Sequence, residues 1–304
     1  MGARDENERV GGRRVRFFAA ATLAAVLVGA CTCSKPAGPL AGGVFATDSG
    51  WRVFAVDYGR SKRFRHSAMV SDAPKGERVP MAWSAWLLTS PKRTVLVDTG
   101  FADQELADRW NVRSFEPVDR LLARAGLPAE RVTDVVLTHL HWDHAGNLAP
   151  YRNARVWVQA AEREWARGLV TPAAPRKAGV RLRDLAALDA IERAGRLELL
   201  RGDREIFDGV RVHVGGKHTG ATQWIEVRTG RASGTVVLSS DNAYLDENFE
   251  RDVPIGSCYD REENARALAK MRAVASDPRL LIPGHEPRIF ERFAPVADRI
   301  VEIE

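Results

Sequence analysis

Short apolar runs alternate with polar and glycine-rich turns along most of the chain, a pattern that predicts a mixture of strands and helices. Strands are predicted at residues 51–58, 82–97, 135–138, 154–158, 197–200, 210–214, 223–228 and 235–239. Helices are predicted over residues 103–125 with a break near Glu116-Pro117, through Glu162 and Trp165, and over residues 180–194 and 261–275. The hydrophobic pattern predicts secondary structure least clearly over residues 168–195. The pattern alone establishes only a mixed α and β class.

The N-terminus has a different composition. Basic Arg13-Arg14-Val15-Arg16 precedes the thirteen uncharged residues from Phe17 to Gly29, and Ala30-Cys31 follow. This order is typical of an export signal, and so short an apolar stretch does not span a bilayer comfortably. Residues 28–31 also resemble a bacterial lipobox, in which Cys31 would become the lipidated first residue. Cleavage nearby by the ordinary signal peptidase and an uncleaved anchor are the alternatives.

We therefore expect an export signal at residues 1–31, a flexible tether rich in small residues at 32–43, and one domain at 44–304. The 304-residue length, with 45% hydrophobic and 28% charged residues, suits a globular domain with a substantial core. Export predicts a location in the cell envelope, where the protein would be lipid-anchored to a bacterial membrane and face the periplasm or the exterior. The lipid would be its only membrane attachment.

The net charge of +5 raises the question of a nucleic-acid partner. The positive charge is spread along the chain, with acidic residues between most arginines, so the surface is interpreted as solvated and no nucleic-acid partner is predicted. Arg63-Phe64-Arg65-His66 is interpreted as a basic loop, and His66 is given no role. A small-molecule substrate is expected instead, and the sequence does not predict the oligomeric state.

The strongest candidate for chemistry is the run Thr138-His139-Leu140-His141-Trp142-Asp143-His144, directly after the apolar Val135-Val136-Leu137. His139 and His141 project the same way because side chains alternate along an extended backbone. Asp143 and His144 follow as the chain turns, so they can reach a second point nearby. Imidazoles with a carboxylate suit zinc that keeps an open coordination position. Since neighbouring side chains point apart, the four ligands favour two ions over one.

Three further candidates follow apolar, strand-like segments, the usual position for site residues on a rigid scaffold. His218 lies in a glycine-rich turn after residues 210–214, Asp241 follows residues 235–240, and His285 follows residues 279–282. His213 alternates with valines and is interpreted as a strand position. The remaining cysteines, Cys33 and Cys258, are not expected to take part in the chemistry.

These residues resemble the H-x-H-x-D-H motif and the downstream ligands of the metallo-β-lactamase-fold hydrolases. The resemblance runs from about Val44 to the C-terminus and includes residues 95–100, which read Val-Leu-Val-Asp-Thr-Gly. Within that superfamily the chain is most similar to the N-acyl homoserine lactonase branch. This narrower resemblance depends on His-Trp-Asp-His, Asp241-Asn242-Ala243-Tyr244 and Val56-Asp57-Tyr58-Gly59. It implies a layered α/β fold, an αββα sandwich, for residues 44–304.

The resemblance also implies a set of site residues. Asp241 would bridge two zinc ions together with a water or hydroxide; the first ion would be held by His139, His141 and His218, and the second by Asp143, His144 and His285. Asp98 would support the ligand loop, and Tyr244 would donate a hydrogen bond to the substrate carbonyl. A turn cap at Asp98 and ordinary packing of Tyr244 are the alternatives. At positions 220 and 221 the chain has Gly220-Ala221, where the lactonase pattern more often has proline and glycine. The resemblance therefore does not predict the shape of the neighbouring pocket wall.

The implied function is that of an exported dinuclear zinc hydrolase that opens a lactone similar to an N-acyl homoserine lactone. The bridging hydroxide would attack the carbonyl, and Asp143 or a metal-bound water would supply the proton for the leaving alkoxide. One alternative is a thioester hydrolase of glyoxalase II type, which needs a basic pocket for glutathione that the sequence does not locate. The other is a non-catalytic zinc-binding envelope lipoprotein. A β-lactamase is disfavoured because those enzymes generally lack the bridging aspartate.

Three tryptophans are assigned packing roles. Trp142 is expected to pack beside the site, since the residues around it are assigned as ligands. Trp83 and Trp86 are interpreted as packed strand positions rather than as a platform for the substrate.

Overall fold

The computed structural model describes residues 43–47, 50–229 and 234–304. The predicted export signal at 1–31, its lipobox cysteine and the tether up to residue 42 lie outside the described residues. Within the described ranges, no helix combines the length and apolar character that a membrane crossing requires.

Sixteen strands are present in the described chain. They are β1 Arg52–Arg65, β2 Arg78–Thr89, β3 Thr94–Val97, β4 Gly100–Phe101, β5 Asp134–Val136, β6 Arg155–Gln159, β7 Arg176–Lys177, β8 Val180–Arg181, β9 Leu197–Leu200, β10 Arg204–Phe207, β11 Val210–Val214, β12 Gln223–Arg228, β13 Thr235–Ser240, β14 Leu281–Pro283, β15 Pro295–Ala297 and β16 Ile300–Ile303.

Nine α-helices accompany these strands in the described chain. They are α1 His66–Met69, α2 Gln104–Arg109, α3 Val118–Arg124, α4 Trp142–Ala145, α5 Ala160–Leu169, α6 Leu182–Arg193, α7 Asp246–Glu250, α8 Arg261–Val274 and α9 Ile289–Arg292. Short 3-10 helices lie at Ala129–Arg131 and Pro278–Leu280.

The strands form two large sheets and one small hairpin. The first sheet has the order β15-β16-β1-β2-β3-β5-β6-β9, the second has the order β10-β11-β12-β13-β14, and β7 pairs with β8. In the first sheet β3, β5, β6 and β9 run parallel to one another, and in the second β13 and β14 are parallel. Parallel strands bring the chain segments that follow them to the same edge of a sheet.

The cores show a four-layer arrangement. Between the sheets, Trp86 and Val95 of the first sheet belong to one buried cluster with Ile225 and Leu238 of the second. The outer face of the first sheet packs against α3, α5 and α6 through a larger cluster. The outer face of the second sheet packs against α8, where Met271 belongs to the same buried cluster as Val237 and Trp224. The predicted αββα sandwich is therefore confirmed.

Two predicted elements are divided in the structure. The strand predicted over 82–97 is the hairpin β2–β3, because Ser90 bonds back to Arg93 through both its backbone and its hydroxyl group. The helix predicted over 103–125 is α2 and α3, and the break begins at Trp110 rather than near Glu116. Residues 110–117 leave the helix because they dock on β1, where Arg113 and Arg60 exchange backbone hydrogen bonds.

His66, which was given no role, ties α1 to two other segments. Its Nδ1 lies 2.8 Å from Glu77 Oε2, and its Nε2 lies 2.7 Å from Glu247 Oε2 at the start of α7. Burial alone would lower the pKa of His66, but the hydrogen bonds to the two glutamates outweigh it and raise that pKa. The imidazolium form therefore stabilises this corner of the fold.

Replacing His66 with glutamine should destabilise the fold more in acid than in base. Because the folded-state pKa is raised, the stabilisation is fully present below the unfolded value of about 6.5 and is lost as the pH rises through the folded-state pKa. Urea unfolding of the wild type and His66→Gln at about pH 5.5 and about pH 9 measures this difference. Equal destabilisation at both pH values would contradict an imidazolium in this position.

Candidate active site

All seven residues predicted as metal ligands lie together. Each lies after a strand end or in a loop between strands: after β5, between β11 and β12, directly after β13 and two residues after β14. They form two groups in which the possible ligand atoms lie within 4.8 Å of one another: His139, His141, His218 and Asp241 in the first, and Asp143, His144 and His285 in the second.

Asp241 links the two groups. Its Oδ1 lies 3.2 Å from Nε2 of His144 and 3.2 Å from Nε2 of His285. Its Oδ2 lies 3.2 Å from Nε2 of His218 and 3.8 Å from Nε2 of His139. One carboxylate therefore faces both groups, each through a different oxygen.

The short helix α4 sets the direction of the last two motif residues. It begins after His141, so Asp143 and His144 lie on a helical turn rather than on extended chain. The Tyr58 hydroxyl donates to the Asp143 carbonyl oxygen at 2.7 Å. The Thr99 backbone N–H and hydroxyl both donate to the His144 carbonyl oxygen, at 2.7 Å and 3.0 Å. The turn is thus held from the middle of β1 and from the segment that follows β3.

Hydrogen bonds at Nδ1 orient three of the imidazoles. His144 Nδ1 lies 2.8 Å from Asp98 Oδ2, His218 Nδ1 lies 2.7 Å from the Ser257 carbonyl oxygen, and His285 Nδ1 lies 2.8 Å from the Ala82 carbonyl oxygen. In a neutral imidazole, an acceptor at Nδ1 places the proton there and leaves the lone pair on Nε2. All three Nε2 atoms point toward Asp241, as metal-binding histidines require.

The cluster contains buried polar atoms that a cation would satisfy. Nε2 of His139, Nε2 of His144 and Oδ1 of Asp241 have no hydrogen-bond partner among the described residues. Each such atom lowers the free energy of unfolding by about 1–3 kcal/mol when it is left unsatisfied. Imidazole nitrogens and carboxylate oxygens in this number are the donor set of a zinc or similar transition-metal site. The residues fit a bound metal.

The electrostatics favour the ligating forms of His139, His141 and Asp241. Burial, together with repulsion from neighbouring imidazoles, lowers the pKa of His139 and of His141 well below the ordinary value. Burial alone would raise the pKa of Asp241, but His144, His285 and His218 outweigh it, so that pKa is well below its usual range. Two imidazoles are thus neutral, and the carboxylate between the groups is ionised.

Asp98 supports the ligand loop, as the resemblance implied. It is fully buried, and its Oδ1 accepts from the Thr138 backbone N–H at 2.7 Å. Its Oδ2 accepts from the Thr138 hydroxyl at 2.7 Å and faces His144 Nδ1. One carboxylate therefore fixes the start of the motif and the orientation of its last histidine.

Glu162 supports the same loop from the opposite side, a role that was not predicted from the sequence. It is fully buried on α5, where its Oε1 accepts from the Leu140 backbone N–H at 3.0 Å. Its Oε2 accepts from the Ala221 backbone N–H at 2.7 Å and the Thr219 hydroxyl at 2.8 Å. Glu162 thus joins the loop of His139 and His141 to the loop of His218.

A cavity of about 640 Å³ opens onto the cluster. Ligand residues of both groups line its inner end together with Tyr244, whose hydroxyl lies 3.4 Å from His218 Nδ1. Trp142 lines this cavity, as predicted. Trp83 is a buried strand residue of the core, as predicted, and it also lines the cavity, with its ring centroid 5.7 Å from that of His285. Trp86 is buried between the sheets, as predicted.

The neighbouring Trp165 explains the glycine at position 220. A Cβ at Gly220 would lie 2.4 Å from atoms of Trp165, so this tryptophan occupies the space that a side chain would need. The Trp165 ring lies 6.4 Å from that of His141 and 6.2 Å from that of Tyr259.

Two predicted non-ligands lie outside the cluster. His213 stacks on Trp224 with ring centroids 3.9 Å apart and bonds Glu226 through Nε2 at 2.8 Å. Cys258 is half-buried, and its thiol donates to the Ile255 carbonyl oxygen.

Comparison with known proteins identifies the family. The family model of the metallo-beta-lactamase superfamily matches residues 80–285. An N-acyl homoserine lactonase from a Bacillus species is 25% identical over 250 residues, which cover 77% of this chain and 93% of that protein.

Solved structures agree on the fold. An N-acyl homoserine lactone hydrolase with N-hexanoyl-L-homoserine bound at its metal centre has a TM-score of 0.68 and 22% identity, covering 83% of this chain and all of that one. The dizinc quorum-quenching lactonase AidC has a TM-score of 0.62 and 16% identity, covering 79% and 88%.

The chain belongs to the metallo-β-lactamase superfamily, and it is a metal-dependent hydrolase of that fold. Its relatives and structural neighbours include N-acyl homoserine lactonases, which confirms the predicted resemblance to that branch. The role of each residue in metal binding stays a prediction.

Glu162→Gln should weaken metal binding while leaving the ligand side chains intact. An amide cannot accept at both ends, so either Leu140 or the 219–221 loop loses its acceptor, and the two ligand loops separate. Loss of a partner that orients metal ligands typically lowers affinity about 10- to 100-fold. Competition with a zinc chelator measures the affinity, and Glu164→Gln, an exposed glutamate on the same helix, is the matched control. Equal affinities in the two variants would show that Glu162 does not position the ligands.

Proposed function

We propose that this protein hydrolyses the ester bond of a lactone at a centre of two zinc ions, with N-acyl homoserine lactones as representative substrates. The observation that carries the proposal is the carboxylate of Asp241, whose two oxygens face two different sets of imidazoles. A site for a single structural ion needs no such residue. The lactonase relatives support the choice of substrate class.

The ligands would divide as the two groups do. The first ion would be held by His139, His141 and His218, the second by Asp143, His144 and His285, and Asp241 would contact both. Bound zinc would supply a Lewis acid for the carbonyl and would lower the pKa of water, so that hydroxide is available near neutral pH.

The chain's own residues would handle the substrate oxygen atoms. Hydrolysis forms a bond from the water oxygen to the carbonyl carbon and breaks the ring C–O bond, after which the alkoxide takes a proton. Tyr244 lines the inner end of the cavity and can donate its hydroxyl hydrogen to the carbonyl oxygen. We assign proton delivery to Asp143, because Asp241, the other acidic lining residue, is enclosed by imidazoles.

The cavity suits a ligand with an apolar part. Its aromatic residues Phe64, Trp83, Trp110 and Trp142 form one wall beside the cluster. An acyl chain on this wall would be removed from water, which stabilises binding by about 25 cal/mol per Å² of apolar surface.

We also propose that the chain is exported and attached to a membrane by a lipid on Cys31. The support is the order of basic, apolar and small residues before that cysteine. Mass spectrometry of the mature N-terminus tests the proposal, and an intact Met1 would contradict it.

Asp241→Ala and His141→Ala should each remove bound zinc and hydrolysis together. The test is the zinc-loaded full chain with a panel of N-acyl homoserine lactones, a penicillin and a glutathione thioester, with metal content measured in parallel. Asp208→Ala, which removes an exposed carboxylate, is the control and should change neither property. An active Asp241→Ala variant would refute the assignment. Turnover of the thioester alone would overturn the lactone preference, and zinc without turnover of any compound would favour the non-catalytic alternative.

Tyr244→Phe should lower kcat/KM for lactones about 100-fold, the usual cost of one lost donor to a developing oxyanion. Only the hydroxyl is removed, so zinc content should stay at the wild-type value. Unchanged kcat/KM would leave Tyr244 with a packing role alone.

A further inference from the structure

Four arginines lie around the outer part of the active-site cavity: Arg63, Arg65, Arg78 and Arg109. All four are exposed. In the described chain, none of them has a side-chain hydrogen bond or an ion pair. The acidic residues of the lining are Asp143 and Asp241, both of which belong to the ligand cluster. The outer part of the cavity is therefore positively charged.

Several arginines elsewhere in the described chain have a close acidic partner. Arg163 lies 2.9 Å from Asp189, Arg181 lies 2.6 Å from Asp184, and even the exposed Arg251 lies 2.5 Å from Asp72. Arg152, Arg193 and Arg201 are also exposed without an acidic partner in the described chain, so what distinguishes the four arginines is that they line one cavity.

Two of these arginines face each other directly. Arg65 of β1 and Arg78 of β2 are Cα partners in the antiparallel ladder. Like charges in directly opposite positions destabilise a sheet. A bound anion between them would replace this repulsion with two attractive contacts.

A row of aromatic rings connects the ligand cluster to the arginines. The Trp83 ring centroid lies 5.7 Å from that of His285 and 5.4 Å from that of Trp142. Trp110 stacks on Trp142 at 5.6 Å and on Phe64 at 6.0 Å. Phe64 lies between Arg63 and Arg65 in the sequence, and Trp110 follows Arg109. An elongated ligand on this wall would therefore reach the cluster at one end and the arginines at the other.

We propose that the substrate carries an anionic group, a carboxylate or a phosphate, at the end away from the hydrolysed bond, and that the four arginines bind this group. The planar guanidinium matches both anions through paired N–H donors. The inference rests on the proposed hydrolytic function and narrows its substrate class. A neutral acyl chain would leave these arginines in contact with water alone. Two sources of the anionic group fit: a lactone whose acyl chain ends in an acid, and a glutathione thioester, whose basic pocket the sequence had not located.

Two pairs of compounds test the proposal on the zinc-loaded full chain. The first pair is N-hexanoyl homoserine lactone and the homoserine lactone in which one carboxyl of adipic acid replaces hexanoic acid as the acyl group. The second compound keeps the chain length and adds a terminal carboxylate. The second pair is the lactoyl thioester of glutathione and that of N-acetylcysteamine. In at least one pair we expect the anionic member to have a kcat/KM about ten-fold higher, since each exposed contact contributes about two- to five-fold. Added salt should reduce the preference because it screens exposed charges.

The variants Arg65→Gln and Arg78→Gln connect the preference to these residues. Each should lower the ratio of kcat/KM for the anionic member to that for the neutral member by about two- to five-fold. Arg152→Gln removes an exposed arginine that does not line the cavity, and it should leave the ratio unchanged.

Equal kcat/KM within both pairs, or a preference that persists in both variants, would overturn this inference alone. Absence of turnover of all four compounds would overturn the proposed hydrolysis and this inference with it.

Discussion

A buried carboxylate stays ionised only when cations or hydrogen-bond donors surround it, and this constraint organises the molecule around Asp241. Asp241 is 2% exposed, and four imidazoles point at its two oxygens. These imidazoles come from three separate loops, so the centre exists only when the ends of both sheets are in register. The parallel pairing of β13 with β14 contributes directly, because it brings Asp241 and His285 side by side.

Two further carboxylates hold the loops that carry the imidazoles. Asp98 bonds Thr138, directly before the motif, and the last histidine of the motif, whereas Glu162 bonds Leu140 within the motif and the loop of His218. Both are fully buried and use both of their oxygens. Such satisfied buried networks restrict ligand loops to one arrangement. The metal-binding geometry therefore depends on residues that do not point at the centre.

The features predicted correctly from the sequence are those that depend on residues close together along the chain. Strands 197–200, 210–214 and 223–228 were placed to the residue, because turn residues bound each short run. The seven predicted ligands came from a local motif and from strand ends, and the structure brings them together in two groups. Glu162 was missed because its partners Leu140 and Ala221 are 22 and 59 residues away. The cluster of Arg65, Arg78 and Arg109 was missed for the same reason, since only the folded chain brings these segments to one cavity.

The hairpin β7–β8 meets the centre through backbone alone. Gly179, with φ of +79°, lies against the ring of His141, where a Cβ would be only 2.5 Å from the imidazole, and its carbonyl oxygen accepts from the Trp142 N–H. The neighbouring side chains Arg176 and Lys177 are exposed. Substitutions of Arg176 and Lys177 therefore need not move His141, so long as Gly179 is kept. A lineage of such proteins has in this hairpin a place where new surface chemistry can arise beside an unaltered catalytic core.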